Sequence, residues 1–430
     1  MRTYRELLRT PEFTPLFLTV SAQVAAATVS GLALGVLVYA ATGSPLLSAL
    51  SMFGQQLAQV IGAATLLSAA DRLPPRAAMT GVALASCLGT AALAVPGLPL
   101  PGVFAIILGL GLVGSVGGGV RYGLLNEIVP PDGYLLGRSL VNMSVGIMQI
   151  CGFAAGGVLV SVLSPRGTLL AGAALYLVAA GVAGFGLGAR APRASGRPSV
   201  AATWRSNVRL WSSAPRRRVY LALWVPNGLI VGCESLFVPF APEQAGTLFA
   251  FAASGMLAGD VLVGRFVPAR WQARLGAALL LLLAAPYLVF AVDPPVPLAV
   301  AAVTVASIGY AASLVLQQRL MDLTPAEMSG HALGLHSSGM LTMQGVAAAL
   351  AGALAQHTSP GTAIAVMAAA SVTVTLALAR GLSGPARTGP PQGARAGIER
   401  HGDAGNPAAP PQAGHLAGNT SPATGNRRTT

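Results

Sequence analysis

The sequence predicts an all-α integral membrane protein of twelve transmembrane helices in two pseudo-symmetric six-helix bundles, and three observations carry that expectation. Hydrophobic residues make up 53% of the 430 and charged residues only 9%, too little charge to cover a water-facing surface. Apolar runs of roughly 18 to 28 residues recur along the chain, each long enough to cross about 30 Å of hydrocarbon as a helix. The arginines gather on alternate connections between those runs, as an excess of positive charge on one side of a membrane requires.

Taken in order, the runs lie near residues 14–41, 46–70, 77–95, 102–120, 139–163, 168–188, 219–241, 245–264, 275–292, 297–318, 331–356 and 361–380. Glycine and alanine dominate them. Small residues let helix backbones approach closely in lipid, where packing drives association, so the pattern implies a tight bundle.

All 26 basic residues are arginine and the net charge is +13, with a pI near 10.9. Such a balance alone fits a nucleic-acid partner, but the distribution excludes it. With an internal amino terminus, Arg2, Arg5 and Arg9, then Arg72 and Arg76, Arg121 and Arg138, the cluster from Arg190 to Arg218, Arg265 to Arg274, Arg319 and the carboxy tail all fall on the inside. Only Arg166 falls outside. A miscounted helix would reverse every later loop, so the agreement supports both the count and an orientation with both termini cytoplasmic.

Cys87, Cys151 and Cys233 are isolated within apolar runs, which gives neither a disulfide frame nor a zinc site. The first run is overlong and lacks a small-residue cleavage site before Tyr39, so it is expected to be retained as a span. The all-arginine, alanine-rich composition fits a GC-rich bacterial source and hence a multi-pass protein of the cytoplasmic membrane.

The chain divides six plus six: a cytoplasmic amino terminus over 1–13, an amino-terminal bundle over 14–189, a central linker over 190–218, a second bundle over 219–380 and a disordered cytoplasmic tail over 381–430. Within the linker Trp204, Val208 and Trp211 recur at helical spacing beside Arg205 and Arg209, the pattern of a helix lying on the inner membrane surface; a solvated disordered linker is the alternative. The tail turns to Gly, Pro, Arg and Asn, a composition that cannot bury a core. A repeat links the halves. Leu125 to Gln149 aligns without gaps to Leu320 to Gln344 at an offset of 195, pairing Glu127 with Asp322, Pro130 with Pro325, Asp132 with Glu327, Met148 with Met343 and Gln149 with Gln344. Asp71 and Arg76 are five apart after the second run, and so are Asp260 and Arg265 after the eighth. Repeated halves that rock about a central site are characteristic of transporter folds.

Over roughly residues 10 to 380 this arrangement resembles the major facilitator superfamily. The family's cytoplasmic signature after its second helix, G-x-x-x-D-R-x-G-R-R, appears here as "LSAADRLPPR", which keeps Asp71, Arg72 and Arg76 and places Pro74 and Pro75 where the family has Gly-Arg. The resemblance implies that Asp71, Arg72 and Arg76, with Asp260 and Arg265, act as gating residues that latch neighbouring helices. The superfamily's exporters carry G-P-x-x-G-G on the fifth helix; "GFAAGG" keeps Gly152, Gly156 and Gly157 with Phe153 in the proline's place. That likeness implies close helix contact sealing one side, and export by proton antiport. On the fourth helix the family's R-x-x-Q-G is reduced to Arg121 followed by Tyr122 and Gly123.

Glu234 is the only acid deep within a predicted span, about fifteen residues or roughly 22 Å along the seventh helix. Insertion scales put an ionised acid at a helix centre near +2.5 to +3.5 kcal/mol, so such a residue faces a cavity, pairs, or carries a proton. It is the candidate for binding the coupling proton or a cationic substrate; an interhelical hydrogen bond is the structural alternative. Uncharged polar residues form stripes at helical spacing: Ser48, Met52, Gln55 and Gln59 on the second span, Asn142 and Gln149 on the fifth, Asn227 and Glu234 on the seventh. With Gln23, Arg121 and Gln344 they are candidates for a translocation path, or for bonds between helices averaging about 0.6 kcal/mol. Pro226 and Pro239 interrupt the seventh helix, as at the broken helices where transporters place sites.

Gly109, Gly111 and Gly114 spell GxGxxG inside an apolar span with no preceding strand, so no dinucleotide site is expected. No P-loop occurs, which leaves an ion gradient as the energy source. His331 and His336 are protonatable but isolated. No catalytic group, metal or cofactor is expected. The expected protein is a monomer with a small-molecule substrate, protons and the bilayer as partners: a secondary transporter, by the resemblance an exporter of a drug or secondary metabolite. A metabolite importer of the same fold and a membrane-embedded transferase are the alternatives.

Overall fold

A computed structural model describes residues 4–70, 73–192, 200–325 and 328–382, and among these the regular elements are all helical. A short α1 (Tyr4–Leu8) precedes the first bundle, which comprises α2 (Phe13–Thr42), α3 (Pro45–Ala70), α4 (Pro75–Leu93), α5 (Leu100–Ile128) and α6 (Pro131–Gly186). α7 (Val200–Ser212) lies between the halves. The second bundle holds α8 (Ala214–Glu234), α9 (Phe237–Phe240), α10 (Ala245–Val261), α11 (Ala269–Ala284), α12 (Val296–Ile308), α13 (Ala312–Asp322), α14 (Ser329–His357) and α15 (Pro360–Leu382).

Ten described segments are long and apolar enough to cross a membrane. One of them, Leu136–Gly186, is 51 residues long and is two helices joined at Ser164, whose φ of 72° breaks the helical path ahead of Pro165. α3 has 26 residues and is absent from the ten, because Gln55, Gln56 and Gln59 lower the hydropathy of its described part. Dividing the long segment and adding α3 makes the described helices consistent with the expected twelve.

The termini follow local chemistry. Proline occupies the first turn of α4, α5, α6, α8 and α12, where its missing N–H is unpaired in any helix and its fixed φ suits the start. α2 stops at Gly43, whose φ of 61° and N–H donated to the Tyr39 carbonyl close the last turn in the conformation glycine adopts without strain.

Two features depart from the sequence expectation. α5 runs to Ile128 rather than stopping near residue 120, and α6 starts at Pro131 rather than near 139. The apolar run measures the hydrocarbon crossing, whereas backbone hydrogen bonds carry the helix on until the Pro130-Pro131 pair ends it. In the second bundle three helices are broken by non-α turns: a π turn over Leu262–Phe266 and 3₁₀ segments over Ala285–Val292 and Gly309–Ala311.

The second bundle has one continuous apolar core in which Tyr220, Phe237, Phe249, Tyr287 and Phe290 are fully buried. The first has separate clusters, one around Phe13, Leu16, Leu124 and Leu125 and another around Leu34, Leu93, Ile107 and Leu169. The arginine-rich end of the first bundle is clamped. Arg190 donates from Nη1 to Glu12 Oε2 at 2.5 Å and from Nη2 to Glu12 Oε1 at 3.2 Å, and its Nε lies 3.5 Å from Glu127 Oε2. The Gly188 amide also donates to Glu12 Oε2, at 2.9 Å. Three chain segments, before α2, at the end of α5 and after α6, thus meet at one guanidinium.

Partial burial pushes the Glu12 carboxyl up, but the hydrogen bonds from Arg190 and Gly188 and the arginine's charge outweigh it and hold the carboxyl below the usual carboxylate range. A depressed folded-state value stabilises the fold at neutral pH and loses that contribution as pH falls through it. The pair is about a quarter exposed, so solvent screening limits it to about 1 kcal/mol. Thermal melts of Arg190→Gln are therefore expected to fall slightly below the wild type at pH 7, with the gap closing as pH falls below about 4. A gap that persists unchanged at pH 3 excludes the ion pair as its cause.

Candidate functional site

Two of the predicted features each sit at the centre of a local arrangement. The first centres on Glu234, the last residue of α8. The chain leaves the helix there through Ser235 and Leu236 and makes one further turn, α9, around Pro239. The seventh span is thus interrupted beside the acid, between the two prolines singled out from the sequence. Glu234 is half-buried and its Oε1 accepts a hydrogen bond from the Tyr310 hydroxyl at 3.0 Å. Tyr310 sits in the 3₁₀ turn that breaks α12 from α13. The break is possible because Gly309 lets this turn press against α11, where a side chain at that position would come within 2.5 Å of the Leu279 carbonyl oxygen. The Tyr287 hydroxyl, from the 3₁₀ end of α11, lies beside Glu234 and the Ser307 hydroxyl but outside hydrogen-bond geometry to either.

A carboxyl, two phenols and a serine hydroxyl from three interrupted helices thus share one apolar setting. Ionised, the carboxylate only accepts hydrogen bonds; protonated, it also has a proton to donate. Among the described residues no salt bridge reaches it. Sequence reasoning found the acid but missed Tyr287 and Tyr310, whose phenols in apolar runs read as core; the one available signal was the Gly309-Tyr310 pair inside an otherwise aliphatic run.

The second set joins the bundles. Gly152 and Gly156 of α6 pack against α2, where added side chains would meet Thr28 and the Val29 backbone. Gly157 faces the other bundle: a Cβ there would lie 2.5 Å from the Gly246 Cα of α10. Next to this contact Phe153, which replaces the motif's proline, stacks on Phe249 with ring centroids 4.4 Å apart. Nearby, the Tyr39 hydroxyl donates to the Pro239 carbonyl at 3.5 Å and the Ser44 hydroxyl to Gln356 Oε1 at 2.9 Å. Gly352 of α14 leaves room for the Leu46 backbone of α3. These contacts all lie toward the arginine-poor end, where α2 meets α3 and α14 meets α15.

The remaining candidates disperse. Asn227 is buried and accepts from Gln344 Nε2 at 3.0 Å, tying α8 to α14 within one bundle. Gln55 lines a small cavity with Ser30, Gly31, Ser51, Met52 and Tyr176; Gln59 packs over Gly114; Gln23 is half-buried with its Nε2 lacking a hydrogen-bond partner. Arg121 is half-buried on α5 and Gln149 is exposed on α6. Asn142 lies on α6, its side chain outside the described residues. Of the gating residues, Asp71 and Arg72 lie outside the described residues, while Arg76, Asp260 and Arg265 are exposed. The described residues include no group of three or more His, Cys, Asp or Glu side chains placed to hold a metal.

No protein-family model and no curated protein matches the sequence. Solved structures do. The chain is similar to a POT-family transporter crystallised with 5-aminolevulinic acid, at a TM-score of 0.68 and 12% identity over 85% of this chain and 95% of that one. It is also similar to a bacterial homologue of the human lysosomal transporter Spinster in an inward-facing, unoccupied conformation, at 0.63 and 13% over 89% and 95%. A third likeness is to the nucleoside transporter NupG, at 0.64 and 12% over 86% and 99%. A structural likeness at this level of identity shows the fold alone: the chain is a multi-pass membrane protein with the helical fold that these solved structures share.

Proposed function

We propose that this protein is a secondary active transporter that exports a small amphipathic molecule, a drug or secondary metabolite, by alternating access in exchange for protons. It works as a monomer in the bacterial cytoplasmic membrane with both termini cytoplasmic. The rocking units are the two bundles, residues 14–189 and 219–380. The observation that carries this reading is the glycine-to-glycine contact of α6 and α10, which joins the bundles at the arginine-poor end. Under the orientation the arginines favour, that end is external and the protein is closed to the outside, the state in which an exporter loads from the cytoplasm.

Glu234 takes the coupling proton. It is half-buried in a spanning helix, is hydrogen-bonded by Tyr310, and sits where the helix is interrupted, so a change in its charge is felt at a joint of the backbone. Gln344 and Asn227, one helix contact away, belong to the packing that transmits the motion. Arg76, Asp260 and Arg265, exposed in this state, form their latch contacts in the opposite one.

Proteoliposomes with an imposed pH gradient and ethidium as the amphipathic probe test the reading. Dye movement is expected against the direction of proton flow and to vanish when the gradient is collapsed. Glu234→Gln is expected to cut it about tenfold or more, the effect of losing an interaction worth about 1.4 kcal/mol. Flux indifferent to the gradient rejects proton coupling. Unchanged flux in Glu234→Gln moves the coupling site elsewhere, and dye moving with the protons makes the protein an importer.

A further inference from the structure

α7 has three faces. At about 100° per residue, Trp204, Val208 and Trp211 fall within a sector of about 60°, Arg205 and Arg209 occupy the sector beside it, and Leu210 points away from both. Leu210 is fully buried. Trp211 reaches the second bundle, stacking on Trp224 at 5.5 Å and on Tyr220 at 6.2 Å. Trp224 in turn donates from Nε1 to Nδ1 of His336 on α14 at 3.3 Å. One side of α7 is therefore fixed to the protein.

Away from Leu210 and Trp211, the described side chains of α7 are largely exposed. Trp204 is 69% exposed and Val208 52%, a large apolar outlay for a surface facing water. Arg205 and Arg209 are exposed, as are Arg217 and Arg218 on the first turn of α8. The spanning helix α8 begins two residues after α7 ends, which places α7 at the level of the membrane boundary. An apolar stripe of tryptophan and valine flanked by arginines at that level matches an acyl boundary below and phosphate headgroups above. Zwitterionic headgroups supply no net charge to match four exposed guanidiniums; anionic ones do.

From this juxtaposition we infer that α7 and the start of α8 form a docking surface for anionic phospholipid, with Trp204 and Val208 in the acyl boundary and Arg205, Arg209, Arg217 and Arg218 on the headgroups. The surface is separate from the Glu234 cluster and does not depend on what the protein transports. Its link through Trp211 and Trp224 to α14, a helix that also meets α3 of the other bundle, gives leaflet charge a mechanical route to the moving parts.

The test uses the full-length protein in vesicles of equal phosphatidylglycerol and phosphatidylcholine, with brominated acyl chains carried by one lipid or the other. Bulk composition is the same in both preparations, so a difference in tryptophan quenching reports the local lipid. The Trp204 signal is isolated by subtracting the Trp204→Phe protein. Quenching of Trp204 is expected to be severalfold stronger with bromine on phosphatidylglycerol, since each arginine near the surface contributes about fivefold enrichment. The difference is expected to shrink as salt is raised and to fall in Arg205→Gln/Arg209→Gln, both exposed positions, with Arg217 and Arg218 retaining the remainder. Equal quenching by the two lipids overturns the headgroup preference. Absence of quenching by either removes α7 from the membrane and overturns the proposal altogether.

Discussion

Replacing Gly157 with leucine is expected to prevent the two bundles from closing at the arginine-poor end. A Cβ at this position already lies 2.5 Å from the Gly246 Cα, well inside van der Waals contact, and the obstacle is backbone rather than the movable tip of a side chain. Overpacking of this kind costs roughly 1–3 kcal/mol, which shifts a two-state equilibrium about 5- to 150-fold. A pair of cysteines at Ser44 and Gln356, whose side chains now touch across the bundles at 2.9 Å, reports closure through a short bifunctional thiol reagent. In that background Gly157→Leu should slow crosslinking by about tenfold. Gly109→Ala, at a position with nothing within 4 Å of the added carbon, should leave it unchanged. Undiminished crosslinking in Gly157→Leu shows that the glycine contact does not set the closed state.

The second large effect is expected at Gly309. A methyl group there meets backbone atoms of α11, with the Leu279 oxygen 2.5 Å away, so the 3₁₀ turn that carries Tyr310 must move. The expected result of Gly309→Ala is a destabilisation of about 1–3 kcal/mol together with loss of proton-driven ethidium flux comparable to that of Glu234→Gln. Gly334→Ala on α14 is the control: its added carbon meets nothing within 4 Å, and alanine is the better helix former by about 1 kcal/mol. Thermal melts in detergent separate the two. If Gly309→Ala melts like the wild type, the close approach of the turn to α11 is not a constraint on the fold.

Much of this architecture was readable before any coordinates. The crossings were legible because hydrocarbon demands an uninterrupted apolar length, and the twelve runs match the helices closely save where polar residues extend a helix beyond the membrane, as from Arg121 to Ile128. Glu234 was legible because an acid in such a run is costly and therefore rare. Its partners were not. Periodicity shows which face a residue occupies but not which helix lies opposite, so Asn227 and Gln344 are legible as candidates for bonds between helices while their pairing with each other is not. The Glu12 clamp escaped for a similar reason, since Glu12 and Arg190 are 178 residues apart. The breaks at Leu262–Phe266 and Gly309–Ala311 contain no proline, the usual local mark of a kink, and at the second only Gly309 hints at the close approach to α11 that permits it.

The meeting of Gly157 with Gly246 has a further consequence. At this one point of the seam, where backbone meets backbone, there are no rotamers to reset and no charges to rehydrate each time it parts. That contact can be broken and remade quickly, and its strength is nearly indifferent to pH and salt. Substitutions in the surrounding helices that leave both glycines bare therefore leave this approach of the two backbones in place.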